Sequence, residues 1–269
     1  MSLQKEIIAR FGVKPSIDPA EEVRRRVDFL KEHVRKANAD GLIIAISGGI
    51  DSAVTTGLCK RATDELTAET GREYKTVGVF QPYGVQEDIE DSYSVARHFG
   101  LKYTVETNIE DAVNEIALEV EYALKSIGVN RHLSIPGKGN IKARTRMVMQ
   151  YALAFELNLL VVGTDHASEA LTGFFTKWGD GAVDITPLSS LNKRQIRQIA
   201  AYLGVPRPIL EKAPTAGLWV GQTDEGELGI SYEDNSDYLE GREVAPEVRE
   251  KLEQLYRKTE HKRAPIPGI

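Results

Sequence analysis

Apolar residues follow two patterns along this chain, short unbroken runs and longer stretches with a helical period. Four short runs have the length and branching of buried strands, and they cover residues 42–46, 76–80, 103–105 and 159–162. Elsewhere the apolar spacing predicts helices over 20–37, 50–62, 87–99, 109–125, 141–156, 192–203 and 246–259. We expect the Pro- and Gly-rich residues 136–140 to break the chain, and the polar, acid-rich residues 221–245 to form a loop region.

Strands that alternate with helices and are apolar along their whole length indicate an α/β fold. The expected architecture is a doubly wound, mainly parallel sheet with helices on both faces, formed by residues 1–269 as a single domain. In such sheets ligands bind beyond the carboxyl ends of the strands. Turns rich in Gly, Ser, Thr and Asp follow the strands here, so we expect them to line one edge of the sheet.

The first of these turns carries the sequence Ser47-Gly48-Gly49-Ile50-Asp51-Ser52, between a predicted strand and a predicted helix. Two adjacent glycines let the backbone approach an oxyanion, and the start of a helix favours negative charge. The turn lacks the lysine of a P-loop but offers Asp51, a hard oxygen ligand suited to Mg²⁺. Ser-Gly-Gly is also common in ordinary turns, and Asp51-Ser52 could merely cap a helix. The flanking strand and helix favour a phosphate site.

A second polar turn, Gly163-Thr164-Asp165-His166-Ala167-Ser168-Glu169, follows the last predicted strand. If a helix begins here, Asp165 and Glu169 lie on one face of it, and Glu169 with Asp51 would form the pair of carboxylates that a magnesium site needs. The alternative is that Asp165 caps the helix while His166 and Glu169 form a surface pair. A zinc site is not favoured, because no second His or Cys stands at ligand spacing from His166.

Aromatic residues and glycines surround two charged residues further along, in Phe174-Phe175-Thr176-Lys177-Trp178-Gly179-Asp180. The aromatic rings could belong to the core, or they could stack a flat ring such as a pyridine. Lys177 and Asp180 are unusual among such neighbours, and this favours a role in binding or catalysis.

Composition narrows the choice of function. The 269 residues carry a net charge of −6, which argues against general nucleic-acid binding. No apolar run reaches the length of a membrane span, and residues 1–10 lack the apolar core of a signal peptide, so we expect a cytoplasmic protein with no membrane partner. The single cysteine, Cys59, excludes an intrachain disulfide and a Cys-based zinc cluster, and its place in a helix favours a buried core residue.

Residues 47–52 resemble the pyrophosphate loop of the N-type ATP pyrophosphatases, which cleave ATP between the α and β phosphates and transfer AMP to an acceptor. Further stretches resemble motifs of the ammonia-dependent NAD synthetases within that family, in family order from about residue 41 to 263. They are residues 142–146, 163–169, 172–177, 179–181, 191–195, 213–216 and 259–263. The resemblance implies a Rossmann-like adenine-nucleotide hydrolase fold. It also implies a ligase that amidates deamido-NAD with free ammonia, at the expense of ATP, and has no glutaminase domain.

The resemblance also implies a role for each matching residue. ATP would be bound by Ser47, Gly48, Gly49, Ile50, Asp51, Ser52, Thr164, Lys193 and Thr215, and Mg²⁺ by Asp51 and Glu169. Deamido-NAD would be bound by Arg144, Lys177, Asp184, His261 and Lys262. Asp180 would stand beside the incoming ammonia, and Lys193 would offset charge on the departing pyrophosphate. The family further implies a homodimer.

Two stretches of the chain depart from the family's pattern, and two alternative functions remain open. The chain ends in residues 264–269 where relatives often carry an aromatic, acidic tail, and residues 129–137 also differ from the family. One alternative is another adenylating enzyme with the same loop, such as a tRNA thiolase, which would need basic patches and catalytic cysteines. The other is a non-enzymatic adenine-nucleotide sensor, which would need neither the two carboxylates Asp51 and Glu169 nor Lys193 and Asp180.

Overall fold

The computed structural model describes residues 2–212 and 223–269. Its strands are β1 (Gly41–Ala45), β2 (Lys75–Phe80), β3 (Tyr103–Glu106) and β4 (Leu159–Val162). Its helices are α1 (Leu3–Phe11), α2 (Pro19–Lys36), α3 (Ile50–Thr70), α4 (Ile89–His98), α5 (Glu110–Ser126), α6 (Ile135–Leu157), α7 (Ala167–Thr172), α8 (Lys193–Tyr202), α9 (Arg207–Glu211), α10 (Asp224–Leu228), α11 (Tyr232–Leu239) and α12 (Pro246–Lys258). A 3₁₀ turn, Glu260–Lys262, follows α12.

The four strands form one parallel sheet in the order β3-β2-β1-β4. The two central strands pair in register from Gly41 opposite Lys75, and β4 pairs with the other side of β1. Because the first strand lies in the middle and its neighbours were added on both sides, the order reverses beside β1. The carboxyl end of β1, where residues 47–52 follow, therefore lies at the topological switch point where such folds bind ligands.

Helices cover both faces of the sheet, as the sequence predicted. Leu42 and Ile44 of β1 face a core that α2, α3 and α8 share, whereas Ile43 faces the opposite core, which contains Ala154 of α6. Successive side chains of a strand point to opposite faces, so a strand buried on both sides must be apolar throughout. The α/β class and the parallel sheet are thus confirmed.

A third apolar cluster joins the two ends of the chain beside α7. Ile7 of α1 packs with Leu171 of α7, with Tyr238 and Leu239 of α11, and with Leu252 of α12. All five side chains are fully buried. This cluster holds α7, the helix that carries Glu169, against the C-terminal helices.

Several predicted boundaries are wrong for identifiable reasons. Helix α3 continues to Thr70, beyond the predicted end near residue 62, because Leu66 extends its buried face and the first left-handed residue is Gly71. The predicted break at 136–140 lies inside α6, since Pro136 occupies the first turn, where its missing N–H costs nothing. Ser134 caps that helix by accepting a hydrogen bond from the Gly137 N–H at 3.2 Å.

The region 221–245 is not simply a loop. It contains α10 and α11, and α11 begins after Ser231, whose Oγ accepts the Asp234 N–H at 3.0 Å. Helices α1 and α9 were not predicted either, because each is too short to show a clear period. Cys59 is buried as predicted, and burial raises the pKa of its thiol. Within the described ranges, no helix combines the length and apolar character needed to cross a bilayer.

Candidate active site

The turn at residues 47–52, here called the phosphate loop, leaves the start of α3 open. Gly49 is the N-cap of α3 and has no side chain to satisfy the first N–H groups of the helix. Ser52 instead secures the turn, because its hydroxyl donates to the Gly49 carbonyl at 2.9 Å and lies 3.2 Å from the Ser47 hydroxyl. Gly48 has a φ of 80°, and a Cβ there would lie 2.8 Å from the Asp91 Cβ. The geometry is that of an anion-binding helix start.

Four ionisable side chains meet beside this loop, and we call Asp51, His166, Glu169 and Lys193 the charged centre. Asp51 lies in the first turn of α3, and Lys193 is the first residue of α8. The Lys193 Nζ donates to Asp51 Oδ2 at 2.6 Å, although the lysine side chain is only 2 % exposed. Lys193 is fixed at its backbone too, because its N–H donates to Ser168 Oγ at 3.2 Å.

His166 connects the two carboxylates of the centre. It caps α7, since its Nδ1 accepts the Glu169 N–H at 3.4 Å while the Glu169 side chain accepts the His166 N–H at 3.3 Å. Burial lowers the pKa of His166 to about 3, so the imidazole is neutral near pH 7. With Nδ1 accepting, the ring proton lies on Nε2, which is 3.6 Å from Asp51 Oδ1 and 3.5 Å from Glu169 Oε2. The Nε2–H of His166 therefore lies between the two carboxylates without a hydrogen bond to any described residue.

The alternative given for this turn is thus wrong. His166 caps the helix in place of Asp165, and the pair it forms with Glu169 is not on the surface, because the histidine is fully buried. Only the combination of burial with a downstream glutamate distinguishes this cap, and burial is not visible in the local sequence.

Negative charge accumulates in the cleft. Burial, together with the charges of Asp51 and Asp165, raises the pKa of Glu169 well above its usual range. Burial also raises the pKa of Asp165, to which the charges of Asp180 and Asp51 add. Burial is also the largest single effect on Asp51, but the charge of Lys193, the neighbouring His166 and the hydrogen bond from Lys193 together outweigh it and hold the pKa of Asp51 below its ordinary value. A cation bound among these carboxylates would relieve their mutual repulsion.

The charged centre fits a divalent cation with oxygen ligands. Asp51, His166 and Glu169 offer ligand atoms that all lie within 4.8 Å of one another. Asp51 Oδ1 is buried and accepts no hydrogen bond from any described residue. Carboxylate oxygens are the ligands that Mg²⁺ prefers, whereas the protonated Nε2 of His166 is not a ligand in this tautomer. Asp51 and Glu169 are thus the residues suited to hold such an ion.

A second group of polar residues surrounds the loop at residues 173–181. The Lys262 Nζ donates to the carbonyls of Gly173 and Phe175 at 2.7 and 2.6 Å. The Lys177 Nζ donates to the His261 carbonyl at 2.7 Å, so the 3₁₀ turn after α12 is tied to this loop at two points. On the other side, the Arg144 guanidinium of α6 donates to the Lys177 carbonyl at 3.1 Å. Four of the five predicted dinucleotide contacts are therefore brought together.

Asp180 lies on the open side of the same loop. Its Oδ1 accepts the Thr176 N–H at 3.0 Å, and its side chain reaches solvent in the cleft while protein surrounds it on the other sides. That surrounding protein raises its pKa, and the nearby Lys262 charge acts in the opposite direction. The charges of both Asp51 and Asp180 raise the pKa of Asp165, so the two groups of residues are neighbours, and we call the region between them the cleft.

The remaining predicted site residues are placed less centrally. Asp184, the fifth predicted dinucleotide contact, accepts the Val161 N–H at 2.7 Å and the Tyr151 hydroxyl at 3.2 Å, at the side of β4. Thr164 is half-buried in the turn after β4. Thr215 lies outside the described residues.

The aromatic residues of the 173–181 loop are not part of the three apolar clusters. Phe174 and Phe175 are half-buried, and the Lys262 Nζ lies 5.3 Å from the centre of the Phe175 ring. Trp178 is 50 % exposed and has a φ of 62°, a conformation rare for a bulky residue. The exposure of these rings argues against a role in the core and leaves the other interpretation, stacking against a flat ring.

Sequence reasoning missed two parts of this site. The Tyr232 ring lies beside Lys193, with 4.9 Å between the Nζ and the ring centre, and its hydroxyl donates to Asp224 at 2.9 Å. Tyr232 belongs to α11, which the spacing Ser231-x-x-Asp234 could have revealed as a capped helix. The other part is Arg146, which lies in the motif at residues 142–146 but receives no role from the family resemblance.

Comparison with known proteins agrees with the geometry. A family model described as NAD synthase matches residues 22–266. The chain is 43 % identical over 275 residues to an NH(3)-dependent NAD(+) synthetase of Shewanella piezotolerans, an alignment covering 99 % of each chain. It is 47 % identical over 265 residues to one of Nocardia farcinica, covering 97 % of this chain and 95 % of the relative.

Solved structures show the same likeness. An NAD+ synthetase from Burkholderia pseudomallei superposes with a TM-score of 0.82 at 34 % identity, covering 97 % of this chain and 95 % of that one. An NMN synthetase from Francisella tularensis superposes with a TM-score of 0.83 at 33 % identity, covering 94 % and 99 %.

Proposed function

Because this chain belongs to the NAD synthase family, we propose that it amidates deamido-NAD with ammonia, consuming ATP and releasing AMP and pyrophosphate. The observation that carries the proposal is the charged centre beside the open start of α3. A site that only bound a nucleotide would not need Lys193 buried against Asp51. We also propose that residues 1–269 act as one synthetase domain and that the enzyme works in the cytoplasm, where its substrate ATP is made and used.

The first step activates the nicotinate carboxylate, which is a poor electrophile at pH 7. A carboxylate oxygen attacks the α-phosphorus of ATP, a new P–O bond forms, and the bond to pyrophosphate breaks with its electrons passing to the leaving group. The phosphate loop would hold the phosphates by backbone N–H groups, and Lys193 would offset charge on the departing pyrophosphate. Thr164 and Thr215 complete the proposed ATP site.

The second step forms the amide. Ammonia attacks the carbonyl carbon of the acyl-adenylate, the C–O bond to AMP breaks, and AMP leaves with the electron pair. One proton of the attacking nitrogen must leave, and Asp180 is the proposed acceptor since its pKa is raised and it reaches the cleft. The proposed contacts of the dinucleotide are Arg144, Lys177, Asp184, His261 and Lys262.

Magnesium is the cation we assign to the charged centre, with Asp51 and Glu169 as its protein ligands. When bound, it would neutralise negative charge on the triphosphate and on the leaving pyrophosphate. The chain's own contribution is to hold the neutral His166 between these carboxylates and to keep Lys193 positioned against Asp51.

We further propose a homodimer formed through α5 and α6. Most of the large apolar side chains that stand exposed on the described surface lie on these two helices or beside their ends. They are Ile116, Leu118, Val120, Tyr122, Ile127, Ile135, Val148, Phe155 and Leu157. Exposed apolar side chains grouped on two helices that pack together favour an interaction face, and a second copy of the chain is the proposed occupant.

The decisive experiment is a product assay on the purified protein with MgATP, ammonium and one acceptor at a time. Deamido-NAD should give NAD, AMP and pyrophosphate in equal amounts. The Asp51→Asn variant should form none of the three products, while its melting temperature without ATP should match that of the wild type. Nicotinate mononucleotide is the second acceptor, because one structural relative is an NMN synthetase. Pyrophosphate formed only with the mononucleotide would replace deamido-NAD by nicotinate mononucleotide as the proposed acceptor. ATP binding without pyrophosphate from any acceptor would favour a nucleotide sensor.

A further inference from the structure

Arg146 has no acidic partner among residues 2–212 and 223–269. It lies on α6, and its Nε donates to the carbonyl of Gln81, the residue after β2, at 3.1 Å. The Gln150 side chain secures the same point by donating to Gln81 Oε1 at 3.0 Å. Among the described residues, no carboxylate lies within ion-pair distance of Arg146, and no atom accepts a hydrogen bond from its two terminal nitrogens.

This arrangement leaves the Arg146 charge open to a ligand. The side chain is half-buried, and its terminal nitrogens are not among the fully buried unpartnered atoms of the described residues. The surrounding protein lowers the pKa of Arg146, and the charge of Asp180 acts against that effect without contact. Arg26, a fully surrounded arginine, instead contacts Glu22 directly. A partly desolvated guanidinium without a bonded anion gains most from a contact with an anionic ligand.

The surroundings of Arg146 identify which anion. Lys138, Lys142 and Arg146 are spaced four residues apart and therefore share one face of α6. The Nζ atoms of Lys142 and Lys138 lie 3.9 and 5.3 Å from the centre of the Tyr83 ring, which follows β2. The row thus ends at Arg146, which contacts the carbonyl of Gln81 directly after β2.

We propose that Arg146 binds the carboxylate of deamido-NAD that is to be adenylated, and that it then faces the carbonyl oxygen of the acyl-adenylate when ammonia attacks. This proposal rests on the function proposed above. A planar guanidinium with two unused N–H groups matches a carboxylate in a bidentate contact. The phosphates of ATP have other partners, the phosphate loop and Lys193. Asp180, the proposed acceptor of the ammonia proton, is the acidic group whose charge reaches Arg146, so the reacting carbon would lie between the two.

The test compares Arg146→Gln and Arg146→Lys with Gln150→Ala. Gln150→Ala removes a contact to the side chain of Gln81, the residue whose carbonyl Arg146 contacts, and it leaves the guanidinium in place, so it serves as the control for a purely structural effect. Losing a charge-assisted contact weakens binding by about tenfold to hundredfold. We expect Arg146→Gln to raise the KM for deamido-NAD by that factor, to leave the KM for ATP within about twofold of wild type, and to lower kcat. Arg146→Lys should recover only part of the loss, and added guanidinium ion should partly rescue Arg146→Ala.

Other outcomes would overturn the proposal. An unchanged KM for deamido-NAD in Arg146→Gln would do so, as would equal losses for both substrates that Gln150→Ala also shows. If Arg146→Gln does not fold, Arg146→Lys supplies the same comparison of the two KM values. Calorimetric titration with deamido-NAD separates the two proposals: a wild type that binds it but forms no NAD refutes the function, while the ratio of wild-type to variant affinity still decides the contact.

Discussion

At the scale of single residues, the pairing of Lys193 with Asp51 is the contact that carries the proposed chemistry. The lysine is almost completely buried, so its charge acts in a medium where electrostatic interactions are strong. It arrives from α8, whereas Asp51 arrives from α3, and no local pattern in the sequence joins them.

Replacing Lys193 with Met should stop adenylation while preserving the fold. The variant loses the charge that offsets the departing pyrophosphate, and removal of one such group costs about 10²–10³ in rate. Pyrophosphate release under saturating MgATP and deamido-NAD measures the effect. The matched control is Lys60→Met, which breaks the Lys60–Asp64 pair on the outer part of α3. That pair is exposed at Asp64, so activity should stay within about twofold. Comparable losses in both variants would contradict a specific role for Lys193.

Glu169→Gln should shift the magnesium dependence of the reaction. The amide keeps the size of the side chain and removes one of the two carboxylates assigned to the ion, so the metal concentration for half-maximal rate should rise about tenfold or more. Glu119→Gln, an exposed change on α5, serves as the control. An unchanged magnesium profile would remove Glu169 from the metal site.

Much of the site could be predicted from the sequence, because its motifs are local. The phosphate loop and the turn at 163–169 each lie between a strand and a helix, and that local order is readable. The roles of His166 and Arg146 could not be predicted, since they depend on burial and on the absence of an ion pair among the described residues. Both properties arise only when distant elements pack.

At the scale of elements, the turn between β1 and α3 should tolerate no side chain at Gly48. Gly48→Ala combines a positive φ with a Cβ only 2.8 Å from Asp91 Cβ, so α4 must move. We expect pyrophosphate release to fall by more than tenfold. Gly71→Ala is the matched control, because Gly71 also has a positive φ of 73° but has open space around it. It should lower stability by about 1 kcal/mol without changing the rate. Equal activity losses would attribute the Gly48 effect to backbone strain alone.

A network of ion pairs between α2 and α3, centred on Glu65, should make the stability of the protein depend on pH. Hydrogen bonds from Arg24, and then from Lys31, lower the pKa of Glu65 to about 2 from 4.5. The unfolded chain therefore binds a proton at Glu65 before the folded chain does, and stability falls as pH drops from 4.5 toward 2. After allowance for solvent, we expect Glu65→Gln to cost about 1 kcal/mol at pH 7. Urea unfolding at several pH values should show the difference between the proteins shrinking below pH 4.5. A constant difference would contradict the network.

Elements were predictable where they had a strong period and poorly predictable where composition misled. Gly and Pro at 136–140 indicated a break, yet Pro136 stands in the first turn of α6, where the missing N–H is tolerated. The acidic stretch at 221–245 indicated a loop, yet Tyr232 and Tyr238 are buried and hold α11 in place. In both cases tertiary packing outweighed local preference.

At the scale of the whole molecule, the sheet order places the phosphate loop at the switch point, and α7, α8 and α11 converge on it from different parts of the chain. The site is thus a product of topology. Helix α6 packs on the face of the sheet opposite to α3, and together with α5 it carries the exposed apolar side chains on which the proposed homodimer rests.

The proposed homodimer should dissociate when charge is placed on that surface. Phe155, at the end of α6, is 85 % exposed, so Phe155→Asp should leave the monomer folded, because the side chain contributes little to the core. Light scattering after size exclusion should show the mass falling toward that of one chain, 29.8 kDa, at low micromolar concentration. Tyr202→Asp changes a residue that is 51 % exposed on α8, outside the proposed face, and should leave the mass unchanged. A wild type that elutes as a monomer, or a Phe155→Asp variant that stays dimeric, would show that α5 and α6 do not form the interface.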